Sequence, residues 1–135
     1  MKVQYFDILD PKDLEIAFRA AGKGRVDAVF VLVGPLVFSQ RTQIAEHAAK
    51  SRLPAIYPQT EFTEVGGLMS YGLRITDLDR RAATYVDKIL KGTKPTDLPV
   101  EQPTKFEFVI NLKAAKQIEL TIPPNVLVRA DRVIR

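Results

Sequence analysis

Two hydrophobic rhythms run along this chain, and they change near residue 57. Before that point, short apolar runs alternate with segments whose apolar positions recur every three or four residues, the spacing of one helix face. Residues 3–9 are mostly apolar and β-prone and predict a strand. Asp10-Pro11 reads as a helix start, with Asp10 the N-cap and Pro11 the first helical position. Leu14, Ala17, Phe18 and Ala21 share one face of that helix, and Gly22 and Gly24 end it. Residues 26–33 form a nearly continuous apolar run, which predicts a parallel strand covered on both faces. Gly34-Pro35 closes it. A second helix, with Ser39 as N-cap, turns Ile44, Ala45, Ala48 and Ala49 inward, and residues 55–57 make the next strand. Strand, helix, strand, helix, strand implies right-handed crossovers and a parallel sheet.

Past Tyr57 the spacing lengthens. Residues 58–65 predict a polar loop or single turn, Gly66-Gly67 a bend, and residues 68–71 a short strand. Thr76 and Asp77 can cap a helix that runs to Lys91-Gly92, with Leu78, Ala82, Tyr85, Ile89 and Leu90 on its apolar side. Pro95, Pro99 and Pro103 then impose an extended return. Residues 106–110 predict a last strand, 113–118 a short helix, and Asn125 caps a terminal helical segment after the break at 122–124. The fold class is α/β, a parallel sheet with flanking helices in a single domain over residues 1–135.

Composition narrows the chemistry. At 135 residues with 46% apolar and 27% charged positions, the chain can bury a real core and is not disordered. It has no cysteine and one histidine, which excludes disulfides, thiol catalysis and thiolate metal sites. The net charge of +4 is spread in single bases and pairs, the pattern of solvated faces and not of a nucleic-acid patch. Gly22-Lys23-Gly24 and Gly66-Gly67 precede strands, so neither sets backbone amides at a helix start as a phosphate loop does. No apolar stretch reaches the roughly 18 residues of a membrane span. Asp7 and Asp10 interrupt any signal-peptide core, so a complete chain would stay in the cytoplasm. His47, beside Glu46 and Lys50, reads as an exposed structural residue. Glu61 and Glu64 are the one carboxylate pair near a strand end and the only enzyme-like alternative. No catalytic residue, metal or cofactor is expected.

The positive signal is positional. Small molecules bind beyond the carboxyl ends of parallel strands. Here those ends deliver Gly34, Pro35 and Phe38; then Tyr57, Gln59, Thr60 and Phe62; then Ser70, Tyr71 and Gly72. Aromatic faces, hydroxyls and an amide suit holding a small ligand better than transforming one.

Several ordered stretches carry a resemblance: Asp27-Ala28-Val29-Phe30-Val31-Leu32, Arg52-Leu53-Pro54-Ala55-Ile56-Tyr57, Gly66-Gly67-Leu68-Met69-Ser70-Tyr71-Gly72, and Leu98-Pro99-Val100-Glu101-Gln102-Pro103-Thr104. With residues 80–92 between them, they make the chain resemble the substrate-binding proteins of ABC transporters, of the tryptophan/tyrosine type. That resemblance implies a type I periplasmic-binding-protein plan, two α/β lobes closing on a ligand, and covers only its C-terminal portion. Residues 1–72 then look like second-lobe sheet, 73–104 like hinge and first-lobe helix, and 105–135 like the returning strand and last helices. It implies a small aromatic or amino-acid-like ligand, an ABC permease as partner and a periplasmic location. Gly34, Gln59 and Tyr71 fall where such proteins contact ligand, although related sequences often carry a polar or acidic residue where this chain has Gly34. The helix through residues 76–91 lacks a parent sheet, which implies a homodimer, with or without helix exchange. The alternative is a truncated, stand-alone dimer that senses a small molecule or has lost binding.

Overall fold

β-Branched and aromatic residues lay down a five-stranded sheet in the computed structural model, which describes residues 2–135. In spatial order the strands are β1 (Val29–Phe30), β2 (Ala55–Tyr57), β3 (Met69–Leu73), β4 (Phe106–Asn111) and β5 (Arg132–Ile134). The first three run parallel, β4 is antiparallel to β3, and β5 is parallel to β4. The sheet is therefore mixed instead of wholly parallel. The chain leaves β3 through a helix and returns along a proline-bearing strap that brings β4 back in the opposite sense.

Among the described residues seven α-helices accompany the strands: α1 (Asp13–Lys23), α2 (Pro35–Ser39), α3 (Arg41–Lys50), α4 (Glu61–Glu64), α5 (Ile75–Leu90), α6 (Leu112–Gln117) and α7 (Pro124–Leu127). Leu14, Phe18 and Ala21 of α1 and Ile44 and Ala48 of α3 meet Val31, Ala55 and Tyr57 of the sheet, with Phe62 of α4 closing this cluster. A second cluster joins Leu68 and Ile110 to Ala114, Ala115 and Ile118 of α6 and to Ile122. Alanines at Ala48, Ala114 and Ala115 let those helices lie close to the strands.

Local chemistry moves several predicted boundaries. Residues 3–9 form no strand: only Phe6 and Ile8 pack on the core, and the segment finds no ladder partner. β-prone composition does not supply a neighbouring edge. Asp10 caps the turn before α1 by accepting from the Lys12 amide at 2.9 Å, while Asp13 accepts from the Leu9 and Asp10 amides, so the helix starts two residues late. Ser39 ends α2, its hydroxyl donating to the Leu36 carbonyl, and does not cap α3. The terminal segment is one turn of helix, with Asn125 inside it and not at its cap, followed by β5.

The run 26–33 is the largest correction. Its ladder is only two residues long, and Phe30 is 68% exposed, with Leu32 and Val33 also in solvent. Register puts Phe30, Ile56 and Met69 on one face and Val29 and Ala55 on the other. Helices α1 and α3 cover the Val29 face, and the Phe30 face over this edge strand is bare.

Candidate functional site

Strand β3 lies directly on the loop that follows β2. A Cβ at Gly72 would sit 1.8 Å from the Pro58 carbonyl oxygen, so only glycine fits there. Across the ladder Gly72 pairs with Glu107 of β4. The Glu107 carboxylate, whose side chain is 16% exposed, accepts from the Thr60 hydroxyl at 3.2 Å and lies 3.5 Å from Nε of Arg74. Residues 58–60, Gly72, Arg74 and Glu107 thus form one polar cluster beyond the end of β2.

A buried relay steadies that loop. The Thr63 hydroxyl donates to the Thr60 carbonyl at 2.6 Å, and the Asn111 amide donates to the Thr63 carbonyl at 3.0 Å. The Asn111 side chain also accepts from the Ala114 amide and so caps α6. Thr63 and Asn111 are both buried, so α4, β4 and α6 hold Thr60 in place through satisfied hydrogen bonds.

The structure divides the predicted ligand residues into three groups. Gly34, Pro35, Gln59 and Thr60 are exposed or half-buried at the ends of the β1 run and β2. Gly34 is in extended backbone ahead of α2, and a Cβ there would meet nothing closer than 3.8 Å. Phe38, Tyr57 and Ser70 lie inward. Phe38 packs edge-on to Phe62 beneath the Arg41 guanidinium, and Tyr57 stacks on Phe62 with centroids 4.9 Å apart. Tyr57 and Ser70, register partners at 1% and 0% exposure, bury hydroxyls that have no hydrogen-bond partner among the described residues. Burial raises the Tyr57 hydroxyl well above the ordinary tyrosine pKa. Tyr71 points the opposite way from Ser70, 56% exposed, stacked on Phe106 and edge-on to Phe108. Glu107 and Arg74 were not singled out by sequence reasoning. Only the β3–β4 register, which pairs residues 35 apart in the chain, brings Glu107 opposite Gly72.

Other candidates resolve simply. His47 is half-buried and stacked on Phe18 at 5.5 Å, a packing residue and not an exposed one. Glu64 is paired with Arg132 at 3.2 Å, and Glu61 is half-buried at the other end of the same helical turn. Among the described residues no three His, Asp or Glu gather as metal ligands, and no helix is long and apolar enough to cross a membrane.

A separate open hollow shares no residue with the polar cluster. It is an open groove of about 450 Å³ between α5 and the strap, lined by Leu78, Ala82, Tyr85, Ile89, Leu98 and Pro99. The Tyr85 hydroxyl donates to the Pro99 carbonyl at 2.5 Å and Arg81 pairs with Glu101, which fastens the strap to the helix. No residue of α5 is buried.

Comparison with known proteins places this geometry. The family model described as ABC transporter substrate binding protein matches residues 1–134. The chain belongs to that family. No curated protein matches it. Among solved structures it is similar to the ABC domain in complex with L-Trp from Streptococcus pneumonia, at 29% identity and TM-score 0.87 over 99% of this chain and 45% of that one. It is similar also to a conserved domain protein from Vibrio cholerae, at 29% identity and TM-score 0.83 over 93% and 42%. A ligand-free, open substrate binding protein with adhesive properties from Clostridium difficile shares the fold at 20% identity, with TM-score 0.65 over 95% of this chain and 42% of that one. The chain thus spans less than half the length of the solved structures it matches.

Proposed function

We propose that this chain supplies one wall of a solute-binding cleft and holds a small aromatic or amino-acid-like ligand at its strand ends without transforming it. The observation that carries the reading is the polar cluster at residues 58–60, Gly72, Arg74 and Glu107, set beyond parallel strands where α/β proteins receive small molecules. Gly34, Pro35, Gln59 and Thr60 form the accessible part of this wall, with Phe38, Tyr57 and Ser70 supporting it from behind, and Tyr71 is exposed on the other face of β3. Family membership supports a periplasmic setting with an ABC permease as the docking partner. A thermal-shift screen with amino acids and aromatic acids tests the reading. A ligand at about 100 times its Kd raises stability by about 2.7 kcal/mol. A flat response across the panel contradicts the proposal.

The exposed apolar face of α5 favours a second component of the reading, a homodimer in which another copy covers Leu78, Tyr85 and Ile89. Light scattering at micromolar concentration checks it: a stable monomer contradicts the dimer and leaves the solute-binding reading standing.

A further inference from the structure

The two edges of the sheet are finished differently. β5 closes one edge with three residues and carries Arg132, with Arg135 just beyond it. A short, charged edge discourages further pairing. The β1 edge has no such guard. The run Ala28-Val29-Phe30-Val31-Leu32-Val33-Gly34 holds no charge, and proline enters only at Pro35. The Val29 amide donates to the Pro54 carbonyl at 2.8 Å, and the Val31 amide to the Ile56 carbonyl at 3.0 Å. Backbone groups alternate sides along a strand, so those of Ala28, Phe30 and Leu32 turn outward. That edge has no ladder partner among the described residues. The side chains of the outward set share the bare face, with Phe30 68% and Leu32 60% exposed. Residues 3–9 leave this face open, because Phe6 and Ile8 pack into the cluster on the helix-covered side.

We propose that the β1 edge pairs with the β1 edge of a second copy of this chain, antiparallel about a twofold axis at Phe30. The contact is independent of the solute-binding reading and separate from the face of α5. A twofold axis between identical strands makes them antiparallel. Phe30 is the middle member of the outward set, so an axis there engages all three residues. Phe30 faces Phe30 of the second copy, and Ala28 and Leu32 face each other in both directions. Each outward amide then meets an outward carbonyl, as in strand addition to an open edge. The two Phe30 rings come together on the bare face, where cross-strand aromatic pairs add stability. A contact this short is reversible and depends on concentration.

The register is testable because the chain has no cysteine to confuse cross-linking. Directly opposed residues of a hydrogen-bonded antiparallel pair have Cα atoms about 5.5 Å apart, within reach of a disulfide. Under mild oxidation F30C should therefore form a covalent dimer at least about fivefold faster than L32C, which faces Ala28. Residue-resolved amide exchange of the wild-type chain gives a second readout. From micromolar to millimolar protein, the Phe30 and Leu32 amides should gain about tenfold or more protection. Val29 and Val31, already bonded to β2, should not change, and F30K should abolish the gain. Cross-linking of L32C as fast as F30C, or exchange at Phe30 and Leu32 that ignores concentration, overturns the β1 pairing. Protection gained along α5 alone also overturns it and leaves the arm dimer and the solute-binding reading standing. Should the variants fail to fold by circular dichroism, exchange in the wild-type chain decides.

Discussion

The sheet body and the α5 arm use similar residues to opposite ends. In the body, Ile44, Tyr57, Phe62 and Ile110 are almost wholly excluded from water. In the arm, a 16-residue helix with a clean apolar side buries none of its residues, and a strap held by Tyr85 and Arg81 lies along it. An amphipathic pattern specifies a helix and its inward face, but not the partner that face meets. Most helix stability in proteins comes from packing, so the arm depends on what covers it while the body does not.

Truncation separates the two regions most sharply. Phe62→Ala should destabilise the chain by about 3–5 kcal/mol, because the ring bridges Tyr57 and Phe38 and leaves a cavity. Ile89→Ala in the arm should cost under about 0.5 kcal/mol in a monomer, as an exposed substitution does. Chemical denaturation of both variants checks the contrast. An Ile89→Ala loss comparable with that of Phe62→Ala would show that another copy buries the arm in solution.

Gly72→Ala comes next. Its new methyl must push against the Pro58 backbone, and a loss of about 1–3 kcal/mol is expected, read from the thermal midpoint. The variant should also impair binding, since β3 can no longer lie on the loop that carries Thr60. Tyr57→Phe works in the other direction. Removing a buried hydroxyl without a partner should stabilise the body by about 1 kcal/mol, and a loss instead would reveal a partner for that hydroxyl.

The smallest effect concerns the strap. The hydrogen bond from Arg81, and then its charge, hold the Glu101 carboxyl below the ordinary carboxylate range. A depressed carboxylate contributes fully above its unfolded pKa and loses that contribution as pH falls through the folded value. Acidification should therefore lower the protection of amides around residues 98–102, measured against the intrinsic exchange rate at each pH, and E101Q should remove that loss of protection. An unchanged profile in E101Q would assign the effect to another group.

These contrasts also mark what could be read from the chain itself. The faces of α1 and α3 were legible, because Leu14, Phe18, Ile44 and Ala48 repeat at helical spacing and are buried as read. The left-handed Gly92 after α5 and the strands at residues 55–57 and 106–110 were equally plain. The two-sided burial of residues 26–33 was not, because an apolar run records suitability for burial and not whether a covering layer exists. β5 was missed for a related reason: Arg132 and Arg135 disguise a strand that has only β4 beside it. At the site, Thr60 and Gln59 followed from strand-end position. Glu107 and Arg74 required a non-local antiparallel register that no periodicity encodes.

Hydrogen exchange followed by mass spectrometry, with and without L-tryptophan, tests the solute-binding account most directly. The account predicts added protection at residues 59–60, 71–74 and 106–108, with the already slow core around Tyr57 and Ile110 unchanged. Uniform exchange with and without the ligand, or protection confined to α5 and its strap, would contradict it.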